Sequence, residues 1–184
     1  MLGDNAGRLG NVCIVCGRPL KPFGNKILKD GILCRKCIKL ISPWLSDEEV
    51  AGMTVEDIKV HMKKREENKN VLNTFAISRC VDEKYELCVD DAKKLFYFNK
   101  NNDNPDVLPL EDFESIQVYE KKDPDNEENC DVWMKVEMKG KDFASIDFRL
   151  NEFPGIAKGS EEEQKAFELG MRYMNVLDHE EETQ

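Results

Sequence analysis

Histidine is scarce in this chain of 184 residues, and the motifs that most often mark a catalytic site are missing. His61 lies in a strongly charged segment and His179 in the acidic C-terminal stretch, and neither stands beside a conspicuous nucleophile. We interpret both as surface residues. The chain has no glycine-rich phosphate loop and no Gly-x-Ser-x-Gly turn. An enzyme is therefore the least favoured class of protein.

Long apolar runs are also missing. No stretch is long enough to span a bilayer, and residues 1–11, a glycine-containing polar leader, have no apolar core of the kind that signal peptides require. The seven cysteines are an odd number, whereas secreted disulfide scaffolds usually pair an even number in a shorter chain. We therefore expect a protein of the reducing cytoplasm that has no membrane partner.

Four of the cysteines have the spacing of a zinc site. Cys13-Ile-Val-Cys16 and Cys34-Arg-Lys-Cys37 are separated by seventeen residues, within the range of four-cysteine zinc sites. Zn²⁺ takes four thiolates tetrahedrally at about 2.3 Å, and four protein ligands leave no position for water or substrate. We predict one structural Zn²⁺. A thioredoxin-type redox pair and an iron site are the alternatives, although a redox site needs only one such pair.

The segment between the two pairs fits the same site. Gly17 provides the positive φ that a tight cysteine knuckle often needs. Asp30-Gly31 predicts a two-residue hairpin turn between two short apolar runs, and the second pair opens a helical pattern over residues 34–41. A knuckle, a hairpin and a helix that donates two ligands predict a treble-clef-like zinc domain over residues 12–45.

The remaining cysteines, Cys80, Cys88 and Cys130, are scattered among predicted strands. We interpret them as small buried hydrophobic residues that stay reduced. Surface thiols or additional ligands are the alternatives.

Charge is unevenly distributed. Residues 1–45 carry eight basic and two acidic residues, a net charge of +6, whereas the rest carries 19 basic and 35 acidic residues, a net charge of −16. The basic segment raises nucleic-acid binding as an alternative function, although the same charges also serve as a solvated face, offset the thiolates or attract the acidic part. The candidate residues are Arg18, Lys26, Lys29, Arg35, Lys36 and Lys39.

Two helical stretches and a β-rich region follow the cysteines. Ser46-x-x-Glu49 and Thr54-x-x-Asp57 are helix-capping patterns, and residues 46–74 read as a charged helical linker. Alternating segments from residue 75 onward predict an antiparallel sheet or barrel, which includes a strand over residues 131–139 with Val132, Met134, Val136 and Met138 on one face.

The C-terminal helix is predicted over residues 160–178. Ser160 is its expected N-cap, and three glutamates fill the first turn, where the helix dipole favours anions. Phe167, Met171, Met174 and Leu177 form its apolar stripe. The predicted fold class is thus α+β, with a small zinc domain and a β-rich domain over residues 75–184.

Several short segments carry a family resemblance: Cys13-Ile-Val-Cys-Gly17, Lys29-Asp-Gly-Ile-Leu-Cys34-Arg-Lys-Cys37, Leu40-Ile-Ser-Pro43, Thr54-Val-Glu-Asp-Ile-Lys59 and Arg65-Glu-Glu-Asn68. Together they resemble a bacterial family known as domain of unknown function 4428. The resemblance covers about residues 12–73 and implies zinc at the four cysteines and no enzyme activity. Such proteins often continue into a segment similar to bacterial pleckstrin-homology-like (PH-like) domains, and Asn104-Pro-Asp-Val107 and the strand-rich region are compatible with one.

The function predicted from these patterns is that of a non-enzymatic, zinc-stabilised module that binds a protein or peptide partner. Nucleic-acid binding through the basic segment is the first alternative. Lipid or peptide binding by the PH-like part is the second, although its acidity disfavours anionic lipid.

Overall fold

The computed structural model describes residues 11–81, 86–99, 104–139 and 144–178, which fall into two compact units. The N-terminal unit ends at Asn73 and the C-terminal unit begins at Thr74. The predictions for His179 and for nearly all of the leader lie outside the described residues.

Over residues 11–73, the N-terminal unit contains one hairpin and three helices. Their bounds are Lys26–Ile27 (β1), Ile32–Leu33 (β2), Arg35–Ile38 (α1), Asp47–Gly52 (α2) and Val55–Leu72 (α3). Both predicted capping boxes are confirmed, because the side chains of Ser46 and Thr54 accept hydrogen bonds from the N–H groups of Glu49 and Asp57, and the two carboxylates accept the N-cap N–H groups in return.

The hairpin is confirmed, but its turn is shifted by one residue. Ile27 pairs with Ile32, and the Leu28 N–H donates to the Gly31 carbonyl at 2.8 Å. The two central residues are therefore Lys29 and Asp30, not Asp30 and Gly31. Gly31 serves close packing instead, because a Cβ there would lie 2.8 Å from the Cβ of Ile14.

The helix α3, which the sequence suggests is part of a linker, lies within the N-terminal unit. The Lys29 N–H donates to the Met53 carbonyl at 3.0 Å, and the Asp30 carboxylate accepts the Val55 N–H at 2.8 Å. These bonds fasten the hairpin turn to the start of α3.

His61 is buried, so the prediction that it is a surface residue is wrong. Its side chain lies on α3, and the residue is only 6% exposed. The Nε2 atom accepts a hydrogen bond from the backbone N–H of Ser42 at 2.9 Å. His61 thus holds the segment after α1 against α3.

Among its described residues, the C-terminal unit consists of two four-stranded antiparallel sheets, one α-helix and one short 3-10 helix, Leu110–Asp112. Its strands are Arg79–Val81 (β3), Glu86–Asp90 (β4), Leu95–Asn99 (β5), Leu108–Pro109 (β6), Phe113–Lys122 (β7), Asn129–Met138 (β8), Ser145–Arg149 (β9) and Ile156–Ala157 (β10), and its helix is Glu161–Leu177 (α4).

The two sheets are open. The first has the order β3-β4-β5-β6, and in the second β8 pairs with β7 on one side and with β9 and β10 on the other. The mixed α and β composition, the antiparallel pairing and the C-terminal helix are confirmed. A PH-like barrel is not confirmed, because neither sheet is closed among the described residues.

The core of the C-terminal unit is apolar and aromatic. The predicted face of β8 is confirmed, with every second residue from Cys130 to Met138 buried. Three rings form a triangle, in which Phe98 lies 5.6 Å from Phe148 and 6.0 Å from Tyr173, and Phe148 lies 5.9 Å from Tyr173. The two contacts of Phe148 are edge-to-face and the third is tilted, and aromatic pairs of this kind stabilise a core beyond the area that they bury.

The helix α4 begins as predicted, with the Ser160 side chain accepting the Glu163 N–H at 3.2 Å, but most of its buried face differs from the predicted stripe. The buried residues are Ala166, Gly170, Tyr173 and Leu177, whereas Met171 is 52% exposed. Gly170 explains the shift, because a Cβ there would lie 2.5 Å from Val118 Cγ2 of β7. The small residues thus let the helix lie close to the sheet.

No helix in the described part of the chain combines the length and the apolar character that a membrane crossing requires.

Candidate metal centre

Four cysteine sulfurs converge in the N-terminal unit. Their Sγ atoms all lie within 4.8 Å of one another, and they belong to Cys13, Cys16, Cys34 and Cys37. The distance is 3.7 Å from Cys13 to Cys37 and 3.7 Å from Cys16 to Cys34. Thiolates about 2.3 Å from a central Zn²⁺ lie about 3.8 Å apart in a tetrahedron. The four residues are therefore close enough to coordinate one metal ion.

The first cysteine pair lies in a tight knuckle. The Cys13 N–H donates to the Arg18 carbonyl at 2.8 Å, and the Gly17 N–H donates to the Cys13 carbonyl at 2.8 Å. Gly17 has a φ of 68°, the left-handed conformation that glycine adopts at little cost. The expected role of Gly17 is thus confirmed.

The second pair lies at the start of α1. Cys34 is the residue before the helix and Cys37 lies within it, so both sulfurs point from one helical turn. The Ile14 N–H donates to the Ile32 carbonyl at 3.0 Å, and the Cys34 N–H lies 3.4 Å from Cys13 Sγ. A backbone hydrogen bond therefore joins the knuckle to the hairpin, and an N–H···S contact joins it to the helix start.

Backbone N–H groups make part of the cluster anionic. Burial tends to raise the pKa of Cys13, but N–H donors from Cys16, Cys34 and Val15 lower it to about 6. The pKa of Cys34 is lowered chiefly by a backbone hydrogen bond from Cys37. Burial raises the pKa of Cys37, and neighbouring thiols raise it further. A divalent cation would relieve this crowding, because metal binding displaces the remaining thiol protons.

Three of the four cysteines are buried and Cys16 is exposed. The soft sulfur donors and the two 3.7 Å separations suit Zn²⁺. A closed set of four ligands also leaves no position at which a substrate could bind.

Most of the candidate nucleic-acid ligands are exposed. The exposed ones are Arg18, Lys29, Arg35, Lys36 and Lys39. Lys26 is only partly exposed, and its ammonium group pairs with the Asp47 carboxylate at 2.7 Å. Their binding to nucleic acid stays a prediction, and Lys26 contributes less free charge than the sequence suggests.

Two of the three remaining cysteines behave as predicted. Cys88 and Cys130 are fully buried, and burial raises the pKa of Cys88 to about 12 and that of Cys130 to about 11. Both are protonated at neutral pH. Cys80 is exposed, so the prediction that it is buried is wrong; it lies on β3, at the edge of its sheet.

The structure also brings Glu120, Cys130 and Glu163 together, with ligand atoms within 4.8 Å of one another. The Cys130 thiol donates to Glu163 at 3.2 Å, and Glu120 pairs with Lys158 at 3.0 Å. The protein itself therefore supplies partners for these groups. The three residues are far apart in the sequence, and no local pattern signals their approach.

Comparison with protein families agrees with this geometry. Residues 11–61 match the family model described as Domain of unknown function (DUF4428), and all four cysteines lie inside the match. The family resemblance predicted from the sequence is thus confirmed for this part of the chain. No curated protein matches the chain. No solved structure matches it either.

Proposed function

We propose that this is a non-enzymatic zinc-binding protein of the bacterial cytoplasm, whose N-terminal unit is an interaction module for another protein. The observation that carries the proposal is the approach of four cysteine sulfurs to within 4.8 Å of one another, with two pairs at 3.7 Å. One Zn²⁺ held by Cys13, Cys16, Cys34 and Cys37 would join the knuckle, the hairpin and α1.

The metal would have a structural role. The N-terminal unit is small, and its hairpin strands have two residues each. Units of this size usually need a metal or a disulfide in addition to their apolar core. Zn²⁺ would supply folding free energy and neutralise thiolate charge, while the nearby Arg18, Arg35 and Lys36 offset the remaining negative charge.

Exposed apolar side chains support a protein partner. Phe23 is 87% exposed, Ile27 62% and Ile14 44%. Ile27 pairs with Ile32 across the hairpin, and the Ile14 N–H bonds to the same residue, so both exposed isoleucines adjoin one strand. Neighbouring exposed apolar residues such as Ile14 and Ile27 mark interaction sites, whereas isolated ones need no explanation.

Metal analysis of the purified full chain tests the first part of the proposal. We expect one zinc per chain, and its loss in Cys13→Ser with retention in the matched control Cys80→Ser. Stoichiometric iron, or the same zinc content in Cys13→Ser, would contradict a four-thiolate zinc site.

Affinity capture from a bacterial lysate tests the second part. The double variant Phe23→Ser/Ile27→Ser removes exposed apolar groups of the N-terminal unit, and Phe153→Ser removes a 70% exposed ring of the C-terminal unit as the control. We expect a specific partner that the double variant loses and the control keeps. Equal capture by all three proteins would refute binding through this surface.

Nucleic-acid binding is the second candidate, because five basic side chains of the N-terminal unit are exposed. The test is salt-dependent binding of the full chain to DNA and RNA, with Lys29→Glu/Lys36→Glu as the weakened variant. No shift at low salt would exclude this function.

A further inference from the structure

Two cysteines outside the candidate metal centre lie directly opposite each other on neighbouring strands. In the antiparallel pair of β3 and β4, Cys80 is paired with Cys88, and Val81 with Leu87. The α-carbons of opposite residues lie about 4.5 or about 5.5 Å apart in such a pair, and a disulfide joins α-carbons that are about 4.4–6.8 Å apart. The register therefore places the two thiols within reach of one covalent bond.

Side chains next to Cys80 fix this register. The Ser78 hydroxyl donates to the Asp91 carboxylate at 2.6 Å, and the Arg79 guanidinium pairs with the same carboxylate at 2.6 Å. A slip of one residue would turn Cys80 to the other face of the sheet. A disulfide also requires the two Cβ atoms to lie about 1 Å closer than is usual across strands. The strand β3 can yield by this amount, because it has three residues and, among the described strands, pairs with β4 alone.

The two thiols differ in exposure. Cys80 is exposed, whereas Cys88 is fully buried and is also paired with Tyr97 of β5. Burial raises the pKa of Cys88 to about 12, although a hydrogen bond from the Tyr97 hydroxyl lowers it, and Glu86 raises it further. A dissolved oxidant therefore reaches Cys80 first, and Cys88 stays a neutral thiol until its neighbour has reacted.

We propose that Cys80 and Cys88 are a redox-active pair that hydrogen peroxide converts into a disulfide. The exposed Cys80 is the thiol that meets the oxidant, and the buried Cys88 is the thiol that resolves the product. The disulfide fastens the edge strand β3 covalently to β4. It also protects Cys80 from irreversible oxidation beyond the sulfenic acid.

The chemistry has two steps. In the first, the Cys80 sulfur attacks one oxygen of the peroxide, so that an S–O bond forms and the O–O bond breaks. The leaving hydroxide takes up the proton of the Cys80 thiol and becomes water. In the second step, the Cys88 sulfur attacks the sulfur of the Cys80 sulfenic acid, an S–S bond forms and the S–O bond breaks. The hydroxide leaves with the Cys88 proton as a second water, and the two thiols have supplied the two electrons that reduce the peroxide.

Cys130 provides the internal contrast. It is as fully buried as Cys88, but its cross-strand neighbours are Lys122 and Ile156, and its thiol donates to Glu163. Neither neighbour is a thiol. Cys130 therefore has no partner across its strands for a disulfide, and we expect it to stay reduced when Cys80 and Cys88 are oxidised.

Oxidation of the purified full chain with hydrogen peroxide tests the proposal. The remaining thiols are alkylated and the protein is denatured before digestion. Trypsin cleaves after lysine and arginine, and Lys84 lies between the two cysteines, so Cys80 and Cys88 fall on separate peptides. We expect these two peptides to be joined, with a mass about 2 Da below their sum, and to separate on treatment with dithiothreitol.

The variant Cys88→Ala separates the two steps. Without the second thiol, Cys80 should remain a sulfenic acid, and its labelling by dimedone should rise about tenfold over the wild type at the same dose of peroxide. Cys130→Ala is the matched control, because it removes a buried thiol that has no cysteine opposite it. It should form the disulfide as the wild type does.

Three results would overturn the proposal, and the wild-type measurement does not depend on the folding of any variant. The first is a wild-type chain in which Cys80 is oxidised while the two peptides stay separate. The second is a linkage of Cys80 to another chain or to a cysteine of the metal centre. The third is a Cys80 that is not oxidised in the wild type or in Cys88→Ala at doses that leave the metal content unchanged.

The denatured chain shows whether the fold selects the pair. The same dose of peroxide in concentrated guanidinium chloride should distribute the linkages among the other cysteines, because the cross-strand register is then lost. Equal preference for the Cys80–Cys88 linkage in the native and denatured chains would show that their closeness in the sequence is the cause, and the structural argument would be refuted.

Discussion

Cys13 of the N-terminal unit and the two buried cysteines of the C-terminal unit lie in opposite environments. In the N-terminal unit, backbone N–H donors hold the pKa of Cys13 at about 6 although the residue is buried. In the C-terminal unit, burial raises the pKa of Cys88 to about 12 and that of Cys130 to about 11. Burial alone therefore does not decide the state of a thiol. N–H donors that point at the sulfur favour the thiolate, which is the form that binds a metal. Apolar packing favours the neutral thiol.

The same contrast extends to how each unit is stabilised. The C-terminal unit has a continuous core, with Phe96, Phe98 and Tyr173 among its fully buried side chains. The largest such side chains in the N-terminal unit are aliphatic, Leu33 and Ile58. We therefore expect the N-terminal unit to depend on its metal and the C-terminal unit on its aromatic packing.

Metal removal should have the largest effect on stability, and it should destabilise the N-terminal unit alone. Structural Zn²⁺ contributes about 10–16 kcal/mol of apparent binding free energy in small zinc domains, so chelation or Cys37→Ser should unfold the N-terminal unit. Each unit contains one tryptophan, the buried Trp44 and the partly exposed Trp133. In a Trp133→Phe background, the Trp44 emission should shift to longer wavelength when the metal is removed.

The control for this experiment is Cys80→Ser, which changes an exposed thiol and should leave the emission unchanged. Retention of the Trp44 emission after complete removal of the metal would show that the N-terminal unit folds without it, and the contrast between the units would fail.

Phe98→Ala should have the second-largest effect on stability. The ring is 1% exposed and contacts Phe96, Phe148 and Tyr173. Its truncation should lower the free energy of unfolding of the C-terminal unit by about 3–5 kcal/mol, measured by denaturant unfolding with Trp133 fluorescence in a Trp44→Phe background. The zinc content should not change. Coupled loss of zinc would mean that the two units are not stabilised separately.

Structural features that depend on residues close together in the sequence could be predicted. The two capping boxes, the N-cap at Ser160 and the buried face of β8 depend on spacings of two to four residues, and each is confirmed. The approach of the four cysteines also has a local basis, because each pair is brought together by a single turn. Local hydrogen bonding determines these features.

Features that depend on distant residues could not be predicted in this way. The buried face of α4 is set by Gly170 against Val118, and the turn at Lys29 and Asp30 accompanies the approach of Gly31 to Ile14. His61 is buried because Ser42 lies against it. The short β10 exists only through its pairing with β8. No pattern of neighbouring residues in the sequence predicts any of these contacts.

Gly170→Ala should have an intermediate effect on the C-terminal unit. The new methyl group would meet Val118 Cγ2 at 2.5 Å and Leu150 Cδ1 at 3.0 Å. Overpacking of this kind costs about 1–3 kcal/mol, which thermal unfolding should detect. Gly52→Ala is the matched control, because a Cβ there has no neighbour within 4 Å. Equal stability of the wild type and Gly170→Ala would show that α4 moves away from β7 at little cost.

Substitution of Asp90 should have the smallest effect on stability. Asp90 resembles Cys13, because backbone N–H donors stabilise the anionic form of both side chains. Its carboxylate accepts the N–H groups of Ala76 at 2.8 Å and Lys93 at 3.1 Å. The Ala76 bond is the main reason that the pKa of Asp90 is lowered, with smaller contributions from the Lys93 N–H and ammonium groups.

A lowered pKa in the folded state means that this carboxylate stabilises the C-terminal unit above its unfolded-state pKa of about 3.9. The stabilisation is lost as the pH falls through the lower folded-state pKa. Asp90→Asn should therefore lower the Tm at pH 7, and the difference from the wild type should shrink in acid. Glu127→Gln, in the exposed loop before β8, is the control. A Tm difference for Asp90→Asn that is the same in acid as at pH 7 would show that the carboxylate acts through its shape and not through its charge, and the parallel with Cys13 would fail.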